Sequence, residues 1–259
     1  MRLGWIAGAA LALAATAPAW AQEQAQGQSD AELAHQLANP VAGLISVPFQ
    51  LNYDCCTGAR DDGRTTLNVQ PVIPVTLNEN WSVIIRTIVP LIHQEGVRSQ
   101  TGFGDTTQSF FFTPPSRNGF TWAIGPALFY PTGTEDLSAA KWGAGPTALL
   151  LKQQGHVTVG ILVNHIWSVG GDSGHPDLSN TFLQPFFNYT FPDSTGIQIN
   201  SESTYDWERD EWTAPINVGV THMFNFSGQR MQLGLTGRAY LDGAPDWGVR
   251  FTTTLLFPK

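Results

Sequence analysis

Charge is scarce in this sequence. Of 259 residues only 13% are Asp, Glu, Lys or Arg, and 13 basic residues face 21 acidic ones, for a net charge of −8. A soluble domain usually carries about 25% charged residues, so the deficit already argues against an ordinary water-soluble fold. Binding of nucleic acid needs clustered Lys and Arg to displace counterions, and an acidic chain with so few of them excludes nucleic acid as a partner. Cysteine is confined to the adjacent pair Cys55 and Cys56. Neighbouring cysteines make no ordinary structural bridge, disulfide framework or zinc cluster, which leaves a vicinal disulfide or two free thiols. Beyond the N-terminus no apolar run reaches the ~18 residues of a spanning helix. The 26 Gly and 17 Pro disfavour long uninterrupted helices.

What is present begins with an export signal. Arg2 precedes the apolar stretch Leu3 to Ala17, Pro18 follows, and Ala19-Trp20-Ala21 is an A-x-A cleavage site, so residues 1–21 read as a signal peptide cut after Ala21. Residues 22–43 form a separate polar segment. Within it Ser29-Asp30-Ala31-Glu32 is a capping box that opens a short helix to about Ala38, closed by Asn39-Pro40. This segment has three readings: a plug in a lumen, a periplasmic extension, or a contact for a partner.

From residue 44 to 259 the hydrophobic period is two. Ile45, Val47, Phe49, Leu51 and Tyr53 alternate with Ser46, Pro48, Gln50, Asn52 and Asp54; Trp247, Val249, Phe251, Thr253, Leu255 and Phe257 alternate with Gly248, Arg250, Thr252, Thr254 and Leu256. Between them lie segments near 66–77, 81–92, 105–113, 120–130, 142–151, 156–168, 180–191, 196–205, 214–224 and 231–241, twelve in all. A membrane strand needs about 9–11 residues when tilted near 45°. Ten residues at about 3.3 Å rise and roughly 40° of tilt span about 25 Å, the height of the apolar band of an outer-membrane barrel.

The connections alternate strictly between long and short. The long ones are 54–65, 93–104, 131–141, 169–179, 206–213 and 242–246; the short ones are 78–80, 114–119, 152–155, 192–195 and 225–230. External loops and periplasmic turns produce that parity, and a soluble sandwich has no reason to. With the first strand running outward, Tyr53, Tyr130, Trp142, Trp167 and Trp247 form one aromatic girdle, and Trp81, Phe120, Trp122, Tyr189, Phe191, Phe224 and Phe257 the other. Hydrocarbon leaves no tolerance for unpaired backbone groups, so the strands must close. The expected fold is therefore all-β, a closed antiparallel transmembrane β-barrel of about twelve strands spanning residues 44–259, with a short N-terminal helix. Pro71, Pro74, Pro90, Pro126, Pro146 and Pro185 fall inside these strands, where each removes a ladder donor.

Several blocks carry a resemblance: Asn39-Pro40-Val41-Ala42-Gly43-Leu44-Ile45-Ser46-Val47-Pro48-Phe49-Gln50, Leu67-Asn68-Val69-Gln70-Pro71-Val72-Ile73-Pro74, Trp81 through Arg86-Thr87-Ile88-Val89-Pro90-Leu91-Ile92, Gly102-Phe103-Gly104-Asp105-Thr106, Lys141-Trp142-Gly143-Ala144-Gly145-Pro146, and Asp246-Trp247 through Phe257. Over roughly residues 32–259 the chain resembles the bacterial outer-membrane barrels grouped as "MetA-pathway of phenol degradation" proteins, often labelled transporters or neuromedin U. The resemblance implies a barrel and the passage of small, including aromatic, compounds. The Cys55-Cys56 loop is no part of that pattern.

If apolar side chains face lipid, the opposite parity faces the lumen. The lumen-lining candidates are Arg86, Asp105, Gln184, Asn200, Glu202, Arg238 and Arg250, accompanied by Gln50, Asn52, Asn68, Gln70, Asn188, Gln198 and Asn217. Arginines without counter-charges would favour anions, whereas arginines paired with Glu202 or Asp105 would brace the interior. Bracing is the more economical expectation. No catalytic, cofactor or metal constellation is legible. His165 in Asn164-His165-Ile166-Trp167-Ser168 has no nucleophile and orienting partner in its spacing, and the other histidines are scattered. The acidic run Asp206, Glu208, Asp210 and Glu211 reads as a solvated loop. The expected function is a passive outer-membrane channel or transporter for small molecules, not an enzyme. Its expected partners are lipid and lipopolysaccharide, the barrel assembly machinery that reads Phe257, and a small-molecule solute. A barrel-borne lipid-modifying enzyme and a structural barrel with a filled lumen are the alternatives.

Overall fold

The computed structural model describes residues 28–57, 62–96, 99–243 and 245–257. The segment read as a signal peptide, and the polar residues as far as position 27, lie outside the described residues. Twelve antiparallel strands form one closed ring, preceded by a helix, α1 (Asp30–Leu37). The strands are β1 (Ile45–Thr57), β2 (Asp62–Val69, resumed at Val72–Asn78), β3 (Trp81–Gln94), β4 (Gln100–Phe103, resumed at Thr106–Thr113), β5 (Phe120–Tyr130), β6 (Lys141–Gln154), β7 (Val157–Gly171), β8 (Ser179–Thr190), β9 (Thr195–Ser201, resumed at Ser203–Asp206), β10 (Glu211–Phe226), β11 (Gln229–Asp242) and β12 (Trp247–Phe257). Each strand pairs with the next, and β12 returns to β1 in a continuous register from Ile45↔Phe257 to Cys55↔Trp247. No edge is left open, so every strand has hydrogen-bonded neighbours on both sides.

Alternation sets the two faces. On β10 Asn217 is 0% exposed, while Val218 and Val220 are 51% and 53% exposed toward the outside. Leu51, Trp142, Trp167, Leu235, Trp247 and Phe251 also point outward. Aromatic rings cluster at both rims. Tyr53 meets Trp247 and Tyr130 meets Trp142 at the long-loop end; Trp81 meets Trp122 and Tyr189 meets Phe191 at the short-turn end. Several strands run past the expected boundaries at the long-loop end, β1 to Thr57 and β7 to Gly171. There the hairpins stand clear of the apolar band, so backbone pairing continues after the alternation of side chains has stopped.

The prolines explain part of the irregularity. Pro126 and Pro146 lie opposite each other in the β5–β6 register. The glycine before each one lets the neighbouring strand close in: a Cβ on Gly125 would sit 1.8 Å from the Phe110 carbonyl oxygen, and one on Gly145 1.7 Å from that of His165. Three strands are interrupted outright, at Gln70-Pro71 in β2, Gly104-Asp105 in β4 and Glu202 in β9. Each interruption carries a polar lumen-side or loop-binding side chain, in keeping with the way ladder irregularities re-aim side chains near working sites.

The interior differs from the expectation that all lumen-facing residues are polar. It divides into two arcs of six strands. From β3 to β8 the inner wall is largely apolar, with Ile84, Phe111, Ala123, Leu149, Leu151, Leu162 and Phe186 in one buried cluster. From β9 through β12 to β2 it carries Gln198, Asn200, Glu202, Asn217, Thr236, Arg238, Arg250, Asn52 and Gln70. The apolar arc is covered from within: Val41, just after α1, is 4% exposed and belongs to the same cluster. The helix itself is held by Ser29, whose hydroxyl accepts from Glu32 N–H while Glu32 accepts from Ser29 N–H. Its Leu33 and Ala34 pack on Met223 and Leu256 near the short-turn rim. Gln153 Nε2 donates to the His35 carbonyl at 2.8 Å, and Arg230 pairs with Asp30 at 3.3 Å.

Candidate functional site

The polar arc converges on a charged layer part-way along the lumen. Arg250 of β12 donates Nη1 and Nη2 to the two carboxylate oxygens of Glu202 of β9, at 2.8 and 2.6 Å. Its Nε donates to Asn52 Oδ1 of β1 at 2.6 Å. Arg238 of β11 donates Nη1 to both oxygens of Asp54 at 2.7 and 2.9 Å, and to Asn52 Oδ1 at 3.3 Å; its Nη2 lies 3.9 Å from Glu202. Tyr240 Oη donates to Asp54 at 3.0 Å, and the Arg238 guanidinium lies 5.3 Å from the Tyr240 ring centre. Below Arg238, Asn217 accepts from its Nε at 3.3 Å and donates to Asn200 Oδ1 at 2.8 Å.

The backbone around Glu202 is shaped for this. The β9–β10 registers Ser201↔Ile216 and Thr204↔Thr213 set Pro215 opposite Glu202, where it has no N–H to donate. Ser201 Oγ donates to the Pro215 carbonyl at 2.7 Å instead. The ladder is thus interrupted at the residue that reaches into the lumen.

A second, simpler site stands on the border of the two arcs. Arg86 of β3 donates Nη2 to Gln70 Oε1 at 2.9 Å, and Gln70 Nε2 donates to Gln50 Oε1 at 2.7 Å. Its register partner on β2 is Val72, which packs against the apolar cluster.

Two cavities flank the charged layer, and Glu202 and Arg250 line both. The one toward the short-turn end, about 210 Å³, lies between the N-terminal segment (Leu37, Asn39, Leu44) and a wall that includes Gln50, Gln70, Arg86, Gln184 and Asn200. The other, about 470 Å³, opens between Asn52, Asp54, Arg64, Asn68, Glu95, Arg238 and Tyr240.

The lumen-lining candidates therefore separate. Arg86, Gln184, Asn200, Glu202 and Arg250 line one cavity, with Arg238 in the layer beside it. Asp105 belongs elsewhere: it accepts from Gly133 N–H (2.9 Å), Ser138 Oγ (2.7 Å) and Ala139 N–H (2.6 Å), and so ties down the long β5–β6 connection. At the Gly104-Asp105 interruption its carboxylate is taken up by that loop, and among the described residues no arginine pairs with it. Asp54, taken from sequence as the start of a loop, supplies Arg238 with its carboxylate. The signal was available in its parity with Asn52 and Gln50.

His165 lies on the outer wall, with its ring 4.0 Å from that of Trp167. Its Nδ1 is 2.7 Å from Thr181 Oγ1, which also accepts from Trp207 Nε1 at 2.9 Å, and its Nε2 has no hydrogen-bond partner. A base in a nucleophilic constellation needs its second nitrogen oriented by another group, and none is bonded to this one. Asp206, Glu208, Asp210 and Glu211 do not converge: Asp206 accepts from the N–H groups of Glu208 and Arg209 and pairs with the Arg209 side chain at 2.6 Å, while Asp210 accepts from Tyr205. Among the described residues no group of three or more His, Cys, Asp or Glu is arranged to hold a metal. Cys55 and Cys56 form a disulfide in β1, beside a register shift in its pairing with β2.

Searches against family models and against curated proteins give no match. Solved structures do match. The COG4313 outer membrane channel from Pseudomonas putida F1 shares the fold with a TM-score of 0.66 at 13% identity, over 83% of this chain and 96% of that one. The NanC porin gives 0.53 at 8% identity, over 83% and 100%. An active-site mutant of outer membrane phospholipase A from Escherichia coli gives 0.50 at 10% identity, over 90% and 99%. At such identities the likeness establishes the fold: a closed barrel of the outer-membrane kind, shared by channels and an enzyme.

Proposed function

We propose that this chain is an outer-membrane channel for the passive passage of small molecules, narrowed by its own N-terminal segment. The observation that carries this reading is the pair of polar cavities stacked on either side of the Arg–Glu layer, both inside a closed ring. A filled structural barrel would have side chains there. The export signal at the N-terminus and the outward-facing apolar band with its two aromatic girdles support an outer-membrane location. Where the apolar cluster reaches the smaller cavity, at Val72 and Phe186, a solute with an apolar body loses less on leaving water, which suits the aromatic or hydrophobic solutes that the family resemblance implies.

The enzyme reading is weaker. It draws on the His165–Thr181 pair at the outer wall and on a fold shared with a phospholipase, but the second histidine nitrogen has no orienting group.

The test is ion conductance of the mature protein in planar bilayers, beside a variant lacking residues 22–42. The channel reading expects small discrete currents from the full chain and several-fold larger ones from the deletion. Absence of current from both folded proteins overturns it.

A further inference from the structure

Three arginines occupy the middle of the lumen, and they are satisfied unequally. Arg238 has Asp54 and Arg250 has Glu202, each through two hydrogen bonds to one carboxylate. Arg86 has one bond, to the neutral amide oxygen of Gln70, and Glu202 acts on it only through space. No carboxylate of the described residues lies within 4.0 Å of its guanidinium. A charge removed from bulk water without a partner is costly, and a guanidinium offers a planar fork of five donors, most of which remain free here. Around it the smaller cavity contains two positive side chains, Arg86 and Arg250, against one negative one, Glu202.

The surroundings of Arg86 are two-sided. Gln70 and Gln50 form a polar chain from it, while its register partner Val72 packs on the apolar cluster to which Ile84, two residues away on β3, and Phe186 belong. Val72 and Phe186 also line the cavity itself. A bare inorganic ion would use only the polar half. We infer that this cavity is a binding site for a compact organic monocarboxylate, whose carboxylate is held by Arg86 and whose apolar body rests against Val72 and Phe186. The inference deepens the channel reading and rests on it for the route by which a solute arrives.

Binding can be measured without any current, which separates the two ideas. In detergent, with folding monitored by the heat-modifiable band in gel electrophoresis, benzoate is titrated against the wild type, Arg86→Gln and Arg86→Lys, with benzyl alcohol as the uncharged counterpart. The site predicts that Arg86→Gln weakens benzoate at least tenfold, that Arg86→Lys falls between, and that benzyl alcohol does not distinguish the three proteins. Equal benzoate affinity in wild type and Arg86→Gln overturns the proposal. So does chloride or phosphate competing as well as benzoate at equal concentration, because the apolar half then plays no part. A measurement on the wild type alone covers the case in which the glutamine variant does not fold: benzoate should slow the modification of Arg86 by phenylglyoxal, and benzyl alcohol should not; protection by neither counts against the site. Currents without benzoate binding leave the channel standing and remove the site, whereas Arg86-dependent binding without currents does the reverse.

Discussion

Arg250 and Glu202 stand on strands three places apart in the ring and are joined fork to fork, Nη1 to Oε1 and Nη2 to Oε2. The remaining Nε–H of Arg250 crosses the β12–β1 seam to Asn52. One guanidinium therefore ties the last strand to the first and to the opposite side of the polar arc. Bidentate pairs of this kind fix geometry as well as charge.

Glu202→Gln keeps the shape of the side chain and removes its charge. Arg250 is 7% exposed and Glu202 19%, so the loss leaves a nearly enclosed cation without its partner. The expected cost is about 3 kcal/mol or more, read as an earlier urea unfolding midpoint. In a salt gradient the reversal potential should move toward anion preference, since Arg86 and Arg250 then face the cavity uncompensated.

Val41→Asp tests the seat of the N-terminal segment. Val41 is 4% exposed in the apolar cluster, and burial of a valine contributes about 1.5–3 kcal/mol. A carboxylate in that place should release the segment, so single-channel current should rise toward that of the 22–42 deletion while the barrel stays folded.

Gly145→Val tests the close approach of β6 and β7. The added Cβ would meet the His165 carbonyl oxygen, an atom of backbone and not a movable side chain. Overpacking of this sort costs about 1–3 kcal/mol where neighbours can yield, and more where they cannot. The variant should give little heat-modifiable folded barrel, whereas Gly170→Val, on β7 with nothing within 4 Å of its Cβ, should be tolerated.

The connection between β7 and β8 carries a pH-dependent contact. Lys141 Nζ donates to Asp177 Oδ1 at 2.8 Å, and this hydrogen bond, with a further one from Ser168, holds the Asp177 carboxyl below its ordinary range. A carboxyl with a lowered folded value contributes stability above the unfolded value, near pH 4, and that contribution fades as the pH falls through the lowered value. The difference in urea midpoint between wild type and Asp177→Asn should be constant from pH 7 to about pH 5 and should close below about pH 4.

Much of the fold was legible in the sequence, because a lipid-facing strand must alternate and must have a minimum length. The twelve segments and the aromatic ends follow from that one constraint, but the strict alternation of connection lengths does not hold: pairing continues past the rim, so the β9–β10 connection shrinks to residues 207–210 while the expected short one between β4 and β5 keeps residues 114–119. The division of the interior was not read, although its trace is there. Leu149-Leu150-Leu151 and Val83-Ile84-Ile85 are apolar at consecutive positions, and a strand apolar on both faces has to bury both. Treating every apolar residue as lipid-facing hid the inner cluster and the residue that covers it, Val41. Arg86, Glu202, Arg238 and Arg250 could be placed on the inner face by parity alone. Which carboxylate each arginine meets could not, because that depends on the stagger of strands distant in sequence. Asp105 shows the limit most plainly: its parity matched the others, but at an interruption of β4 a loop takes up its carboxylate.

The two unlike halves of the inner wall also set where the open space lies. One half is packed dry around Val41, and both cavities lie along the other, so on the channel reading a solute would travel off the axis of the cylinder. Such a bore would then select by the thickness of a molecule more than by its diameter.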